Sequence, residues 1–225
     1  MSTPARLWLI RHGETDWNRQ GRVQGHTPTH LNAHGRQQAE TLARILAARN
    51  AQGQKFHAIY SSDLPRAFET AQPIAAALQL SIEQTAELRE RSFGQYEGAT
   101  NAEIQASRAA LGLAPNNDMA DWTGMPGIES NATLWERIST VLRRIAATHA
   151  GEDVLIVTHG GVLSRAMFET LQIPDGSARR FPLSNSLVAI LQWREPIHAF
   201  YLLSLADLPL ITGISPPEPD TATVK

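Results

Sequence analysis

Four apolar residues in a row, Leu7-Trp8-Leu9-Ile10, are closed off by Arg11 and Gly13. A run that short reads as a strand buried on both faces. From Gly13 to Leu31 the chain is rich in Gly, Thr, Asn and Gln and has no period, which predicts loop. Asn32 is placed to cap a helix reaching about Arg49, because Ala39, Leu42, Ala43, Leu46 and Ala47 recur on one face. Phe56 to Tyr60 reads as a second strand running into Ser61-Ser62-Asp63. Pro65 then suits the first position of a helix ending near Leu78. Residues 81–83 and 86–88 are strand-like, and Arg89 to Gly98 is loop. Residues 101–111 are helical in pattern, and 112–129 lack any clear period. A helix starts at Ser130 or Thr133 and ends near His149. Thr133 and Glu136 have the spacing of a capping box. Val154-Leu155-Ile156-Val157 is apolar throughout and predicts another buried strand. Gly160-Gly161 opens a helix to Leu171, and Leu187–Gln192 with Ala199–Leu203 can pair as a hairpin.

Strands that alternate with helices and are apolar on both faces imply a mostly parallel sheet covered on each side. The expected fold class is α/β, a three-layer α/β/α sandwich. It forms a single domain over residues 1–210, with an irregular lid insert at about 99–129. Residues 211–225 hold Pro216, Pro217 and Pro219 and few apolar side chains, so a disordered tail is expected there. With 225 residues, the chain can build a core without metals or disulfides.

Charge and composition narrow the function. Lys and Arg number 20 against 22 Asp and Glu, a net charge of −2 that argues against nucleic acid as a partner. Of the basic residues only Lys55 and Lys225 are lysine, and Arg is the better two-point grip for phosphate. There are no cysteines, which excludes disulfides, thiolate metal sites and a cysteine nucleophile. No uncharged apolar run approaches the ~18–20 residues a membrane span needs. The apolar run after Met1 is too short for a signal peptide, so a cytoplasmic protein is expected, with a homodimer left open.

In open α/β sheets, sites form beyond the carboxyl ends of strands. Here those ends carry Arg11-His12-Gly13-Glu14, Ser61-Ser62-Asp63 with Arg66 a turn later, Arg89-Glu90-Arg91, and Thr158-His159-Gly160-Gly161. Arginines offer paired donors to phosphoryl oxygens. A helix opened by Gly160 adds backbone N–H groups and positive dipole. A neutral His can attack phosphorus, and a Glu can protonate a leaving oxygen and later activate water. Either His could be the nucleophile on this reasoning alone.

These segments also resemble the signatures of the histidine phosphatase superfamily, in its phosphoglycerate mutase-like branch. Leu9-Ile10-Arg11-His12-Gly13-Glu14-Thr15 is similar to the family's first motif, continued by Asn18 and Gly21-Arg22-Val23-Gln24-Gly25. Tyr60 to Ala71 resembles the second arginine motif, Leu88 to Gly98 the acid loop, and Val157 to Gly161 the second histidine motif. The resemblance implies that His12 becomes phosphohistidine. It implies that Arg11, Arg66 and His159 hold the phosphoryl oxygens with help from Asn18, and that Glu90 gives and takes the proton. Gln24, Gly25, Arg91 and Gly160 are carried over as substrate-binding positions, with Arg91 equally suited to a salt bridge. Glu129-Ser130 is similar to a family pair near the site and is also a plain helix cap.

No metal and no cofactor are expected. His26, His30 and His34 are spaced by four, but Pro28 and the cap at Asn32 break the helix that would align them. There is no Walker loop and no dinucleotide fingerprint. Between Ala99 and Ile128 the only base is Arg108, whereas Leu111, Leu113, Met119, Trp122, Met125 and Pro126 make an apolar lid. The mutases of the family carry a basic stretch there. The expected function is therefore hydrolysis of a small phosphomonoester, with a mutase or a non-catalytic phosphate-binding regulatory protein as alternatives.

Overall fold

The computed structural model describes residues 3–114, 122, 124–181 and 183–206; the expected tail at 211–225 and Met119 of the lid lie outside them. The sheet is built from β1 (Arg6–Arg11), β2 (Phe56–Ser62), β3 (Ile82–Thr85), β4 (Asp153–Thr158), β5 (Val188–Arg194) and β6 (Ala199–Ala206). Their order across the sheet is β3-β2-β4-β1-β5-β6. The pairs β1–β4, β2–β4 and β2–β3 are parallel, and β1–β5 and β5–β6 are antiparallel. The helices are α1 (Asp16–Arg19), α2 (Ala33–Ala51), α3 (Pro65–Leu78), α4 (Asn101–Ala110), α5 (Asn131–Thr148) and α6 (Gly160–Thr170). None of the described helices is long and apolar enough to cross a membrane.

Successive side chains of a strand point to opposite faces, and the two central strands use both. Leu7 and Leu9 of β1 and Val154 and Ile156 of β4 pack with Val141, Leu142 and Ile145 of α5 and Leu163 and Met167 of α6. Trp8, Ile10, Leu155 and Val157 pack with Leu42 and Leu46 of α2 and Ala67, Ala71 and Ile74 of α3 on the other face. Each such Leu, Ile or Val contributes about 1.5–3 kcal/mol by leaving water. The three layers follow, as the uninterrupted apolar runs predict.

Several local expectations are corrected. The loop from Gly13 holds the short helix α1, closed by a capping box between Thr15 and Asn18. Residues 86–88 form a 3-10 turn rather than a strand, with the Thr85 hydroxyl accepting from the Glu87 N–H. Helix α5 is capped by Ser130, whose hydroxyl accepts from the Thr133 N–H, so the Thr133–Glu136 spacing serves no cap. In the insert, α4 carries its own capping box at Thr100 and Glu103. Trp122 and Met125 beyond it are buried against Val23, Phe93, Tyr96 and Ile104.

Register is what gathers the chemistry. Arg11 of β1 lies opposite Thr158 of β4, and Ser61 of β2 lies opposite Val157. Three parallel strands therefore end level with one another, and the residues that follow them meet at one edge.

Candidate active site

His12 leaves β1 with its N–H bonded to the Thr158 carbonyl at 2.9 Å. Its Nδ1 lies 2.7 Å from the Gly13 carbonyl. A carbonyl only accepts, so Nδ1 carries the proton and Nε2 keeps its lone pair. The Gly13 backbone is fixed in turn by its N–H donating to Thr70 Oγ1 at 3.0 Å. A Cβ at Gly13 would stand 2.5 Å from the Gly35 carbonyl oxygen, so no larger residue fits between the first loop and α2.

Arg66, in the first turn of α3, is 0% exposed. Its Nε donates to His12 Nε2 at 3.3 Å. Its other nitrogens donate to the Gly25 carbonyl at 2.8 Å and the Thr27 carbonyl at 3.0 Å. Arg11 donates to the Leu183 carbonyl, while its buried Nε has no partner. Burial lowers both guanidinium pKa values to about 10, which leaves both charged at neutral pH. Burial, and then the charges of Arg66 and Arg11, push His12 well below the ordinary histidine value. His159 is pushed the same way by burial, Arg66, His12 and Arg11. Both imidazoles are thus neutral, and a neutral ring is what a nucleophile requires.

Glu90 faces them from the acid loop. Its carboxylate accepts from the Gly161 N–H at 2.9 Å and the Arg91 N–H at 2.8 Å. A Cβ at Gly161 would run into that carboxylate, and one at Gly160 would sit 3.3 Å from Arg11 Nε. The paired glycines that open α6 therefore let a backbone donor, a carboxylate and a guanidinium approach together.

These groups border a cavity of about 260 Å³. Arg11, His12, Asn18, Gln24, Arg66, Glu90, Arg91 and Gly160 reach its wall. His159 and Gly25 do not. Gly25 instead gives its carbonyl to Arg66, at a φ of +55° and hard against Glu97, where only glycine fits. Asn18 Oδ1 accepts from the Asn185 amide at 3.2 Å, and Gln24 Oε1 accepts from the Thr15 hydroxyl at 3.1 Å. Arg91 lines the cavity and also donates to the Glu129 carbonyl at 2.6 Å and Asn131 Oδ1 at 2.7 Å. Val23, Phe93, Trp122 and Leu183 line it as well, with Arg22 and Arg179.

Supporting residues escaped the sequence reading. Glu97 accepts from the N–H groups of His26 at 3.0 Å and Thr27 at 2.9 Å, tying the first loop to the acid loop. Burial alone would raise its pKa, but these bonds hold it below the ordinary value. Arg137 of α5 donates to the carbonyls of Glu87 at 2.8 Å, Arg89 at 2.9 Å and Glu90 at 3.3 Å. Its other side pairs with Glu129 at 2.8 Å. The pair Glu129-Ser130 was visible in the sequence, whereas nothing marked Arg137. The three spaced histidines go separate ways: His26 to the Glu90 carbonyl at 2.8 Å, His30 to Glu69 and His34 to Gln38.

The sequence profile of the histidine phosphatase superfamily, branch 1, matches residues 7–204. The chain belongs to this superfamily. Within it, the chain is 41% identical over 73% of its length to 70% of a phosphoglycerate mutase-like protein of Arabidopsis thaliana. It is 36% identical over 83% of its length to 76% of a metal-independent phosphoserine phosphatase from the same plant. A mycobacterial glucosyl-3-phosphoglycerate phosphatase, solved with VO3, superposes at a TM-score of 0.73. That match has 28% identity and covers 89% of this chain and 96% of the other. Membership and these relatives make the chain an enzyme of the phosphatase or mutase kind.

Proposed function

We propose that the protein is a phosphomonoester phosphatase that works through a phosphohistidine at His12. The observation that carries this reading is the state of His12. It is neutral, with Nδ1 anchored on a carbonyl and the Nε2 lone pair turned to Arg66 at the cavity wall. Nε2 attacks phosphorus while the ester P–O bond breaks. Glu90, entering as the acid, gives its proton to the leaving oxygen. The Glu90 carboxylate then takes a proton from water, the resulting hydroxide attacks phosphorus, and the P–N bond breaks to release phosphate and His12. Arg11 and Arg66 carry fixed charge to the phosphoryl oxygens throughout, in a site where little water competes.

Hydrolysis rather than mutation of a phosphoglycerate is favoured by the insert. Its one base, Arg108, is buried and donates from Nε to the Ala114 carbonyl at 3.1 Å, away from the cavity wall. The insert contributes Trp122 to the cavity lining instead. The further cations that line the cavity, Arg22, Arg91 and Arg179, come from other segments and suit a leaving group with one anionic substituent. Phosphoserine and glucosyl-3-phosphoglycerate, which the relatives are named for, both fit that description as candidate substrates.

Incubation with 3-phosphoglycerate, followed by phosphorus NMR, tests the reading. Free phosphate should dominate over 2-phosphoglycerate, with or without added 2,3-bisphosphoglycerate. His12→Ala should form no acid-labile phosphoenzyme and lose nearly all turnover. Dominant 2-phosphoglycerate would establish the mutase, and an active His12→Ala variant would remove the nucleophile.

A further inference from the structure

Ser62 ends β2, and His159 follows β4 and caps α6; both are 0% exposed. His159 Nε2 lies 2.8 Å from Ser62 Oγ. The same oxygen accepts from the Leu64 N–H at 3.3 Å. A buried hydroxyl has one proton and needs somewhere to give it. Among the described residues, the structure offers Ser62 no acceptor other than His159 Nε2. Ser62 therefore donates to Nε2, which must hold a lone pair, and the single proton of the neutral imidazole sits on Nδ1. That Nδ1 is buried and has no partner. A doubly protonated ring is the alternative. It would leave the Ser62 proton without an acceptor and add a cation among Arg11 and Arg66, against the direction in which burial and those charges push it.

The ring of His159 stands 5.2 Å from the ring of His12, which itself lines the cavity. We propose that Ser62 is a positioning residue that holds His159 as the Nδ1–H tautomer, ready to donate one hydrogen bond to the phosphoryl group at His12. The two histidines then carry their protons on the same ring nitrogen for opposite ends. In His12 the choice frees Nε2 to attack, and in His159 it arms Nδ1 to donate. This inference rests on the phosphoryl-transfer reading for its purpose but not for the tautomer.

Nitrogen NMR of protein labelled with ¹⁵N-histidine tests it in the free enzyme, with the His159 signals assigned by their loss in His159→Gln. At pH 7.5 Nδ1 should show the shift of a proton-bearing nitrogen and Nε2 that of a lone pair. Ser62→Ala should lose this preference and bind vanadate about tenfold more weakly, as expected for one lost hydrogen bond to a charged group. Ser62→Cys, of similar size and a weaker donor, should fall between and serves if the alanine variant does not fold. A merely structural role for Ser62 would leave the tautomer unchanged. Nε2–H or a doubly protonated ring in the wild type overturns the proposal. So does a folded Ser62→Ala variant with the wild-type tautomer and vanadate affinity. A wild type with the Nδ1–H tautomer but no phosphoenzyme would overturn the phosphatase reading and leave the assignment of Ser62 standing.

Discussion

His12 and His159 are held neutral by burial and by the two arginines beside them, and this links the stability of the fold to acid. In the unfolded chain each imidazole regains a pKa near 6.5. Below that pH the unfolded state binds protons that the folded state refuses, so their contribution is present above pH 6.5 and is lost as pH falls. Each residue should cost about 1.4 kcal/mol per pH unit in this window, roughly 2.7 together. Urea unfolding between pH 6.5 and 5 should show that slope, and His159→Gln should halve it. A flat profile would mean that both rings are charged in the folded protein. His12 and His159 were visible in the sequence because each sits directly after an apolar strand. The tautomers were not, since they depend on acceptors such as Gly13 and Ser62 whose positions only the folded chain defines.

At the scale of elements, the acid loop matters most, because it has little regular structure of its own beyond two short 3-10 turns. Arg137 reaches it from α5 and satisfies three of its carbonyls, while Glu129 takes the Ser92 N–H at 3.1 Å. Arg137→Ala should free the loop and blur the aim of Glu90. Poor leaving groups need the acid, which contributes typically ~10²–10⁴-fold, whereas nitrophenolate needs it less. In single turnover, Glu90→Gln should slow phosphorylation by an alkyl ester far more than by nitrophenyl phosphate. Arg137→Ala should show the same bias at smaller size, partly restored in Arg137→Lys. A uniform loss for both substrates would reduce Arg137 to a stabilising residue. This clasp was invisible in the sequence because Arg137 lies 47 to 50 residues from the carbonyls it binds, and an arginine on an amphipathic helix looks like any other. The cap of α5 was ambiguous for a related reason: Ser130 and Thr133 both offer a hydroxyl one turn before a helical run, and packing chose between them.

For the molecule as a whole, the chain brings positive charge of its own to the cavity. Arg11 and Arg66 stay charged in the buried wall, and Arg22, Arg91 and Arg179 line the same cavity. Dialysis against EDTA should therefore leave turnover within about twofold, and vanadate should inhibit. Loss of activity that Mg²⁺ or Zn²⁺ restores would contradict this. The layered fold was legible at this scale, since strands such as Val154–Val157 have no polar face and must be covered twice. In the base-poor insert Trp122 and Met125 are buried, whereas Leu111 is 48% exposed. The arginines that line the cavity with Trp122, namely Arg22, Arg91 and Arg179, stand on three other segments.

The level ends of β1 and β4 have one more consequence. Neighbouring strands run ~4.8 Å apart wherever their ladder is intact. His12 and His159 each stand one residue past a paired position, Arg11 and Thr158, and their rings are 5.2 Å apart. The sheet acts as a ruler: backbone pairing, rather than side-chain fit, sets the gap between the two histidines. Loops, lid and cavity lining can diverge toward new leaving groups without disturbing that distance. A slip of one residue between these two strands would shift the histidines out of step by one position and turn the side chains of the slipped strand to the wrong face.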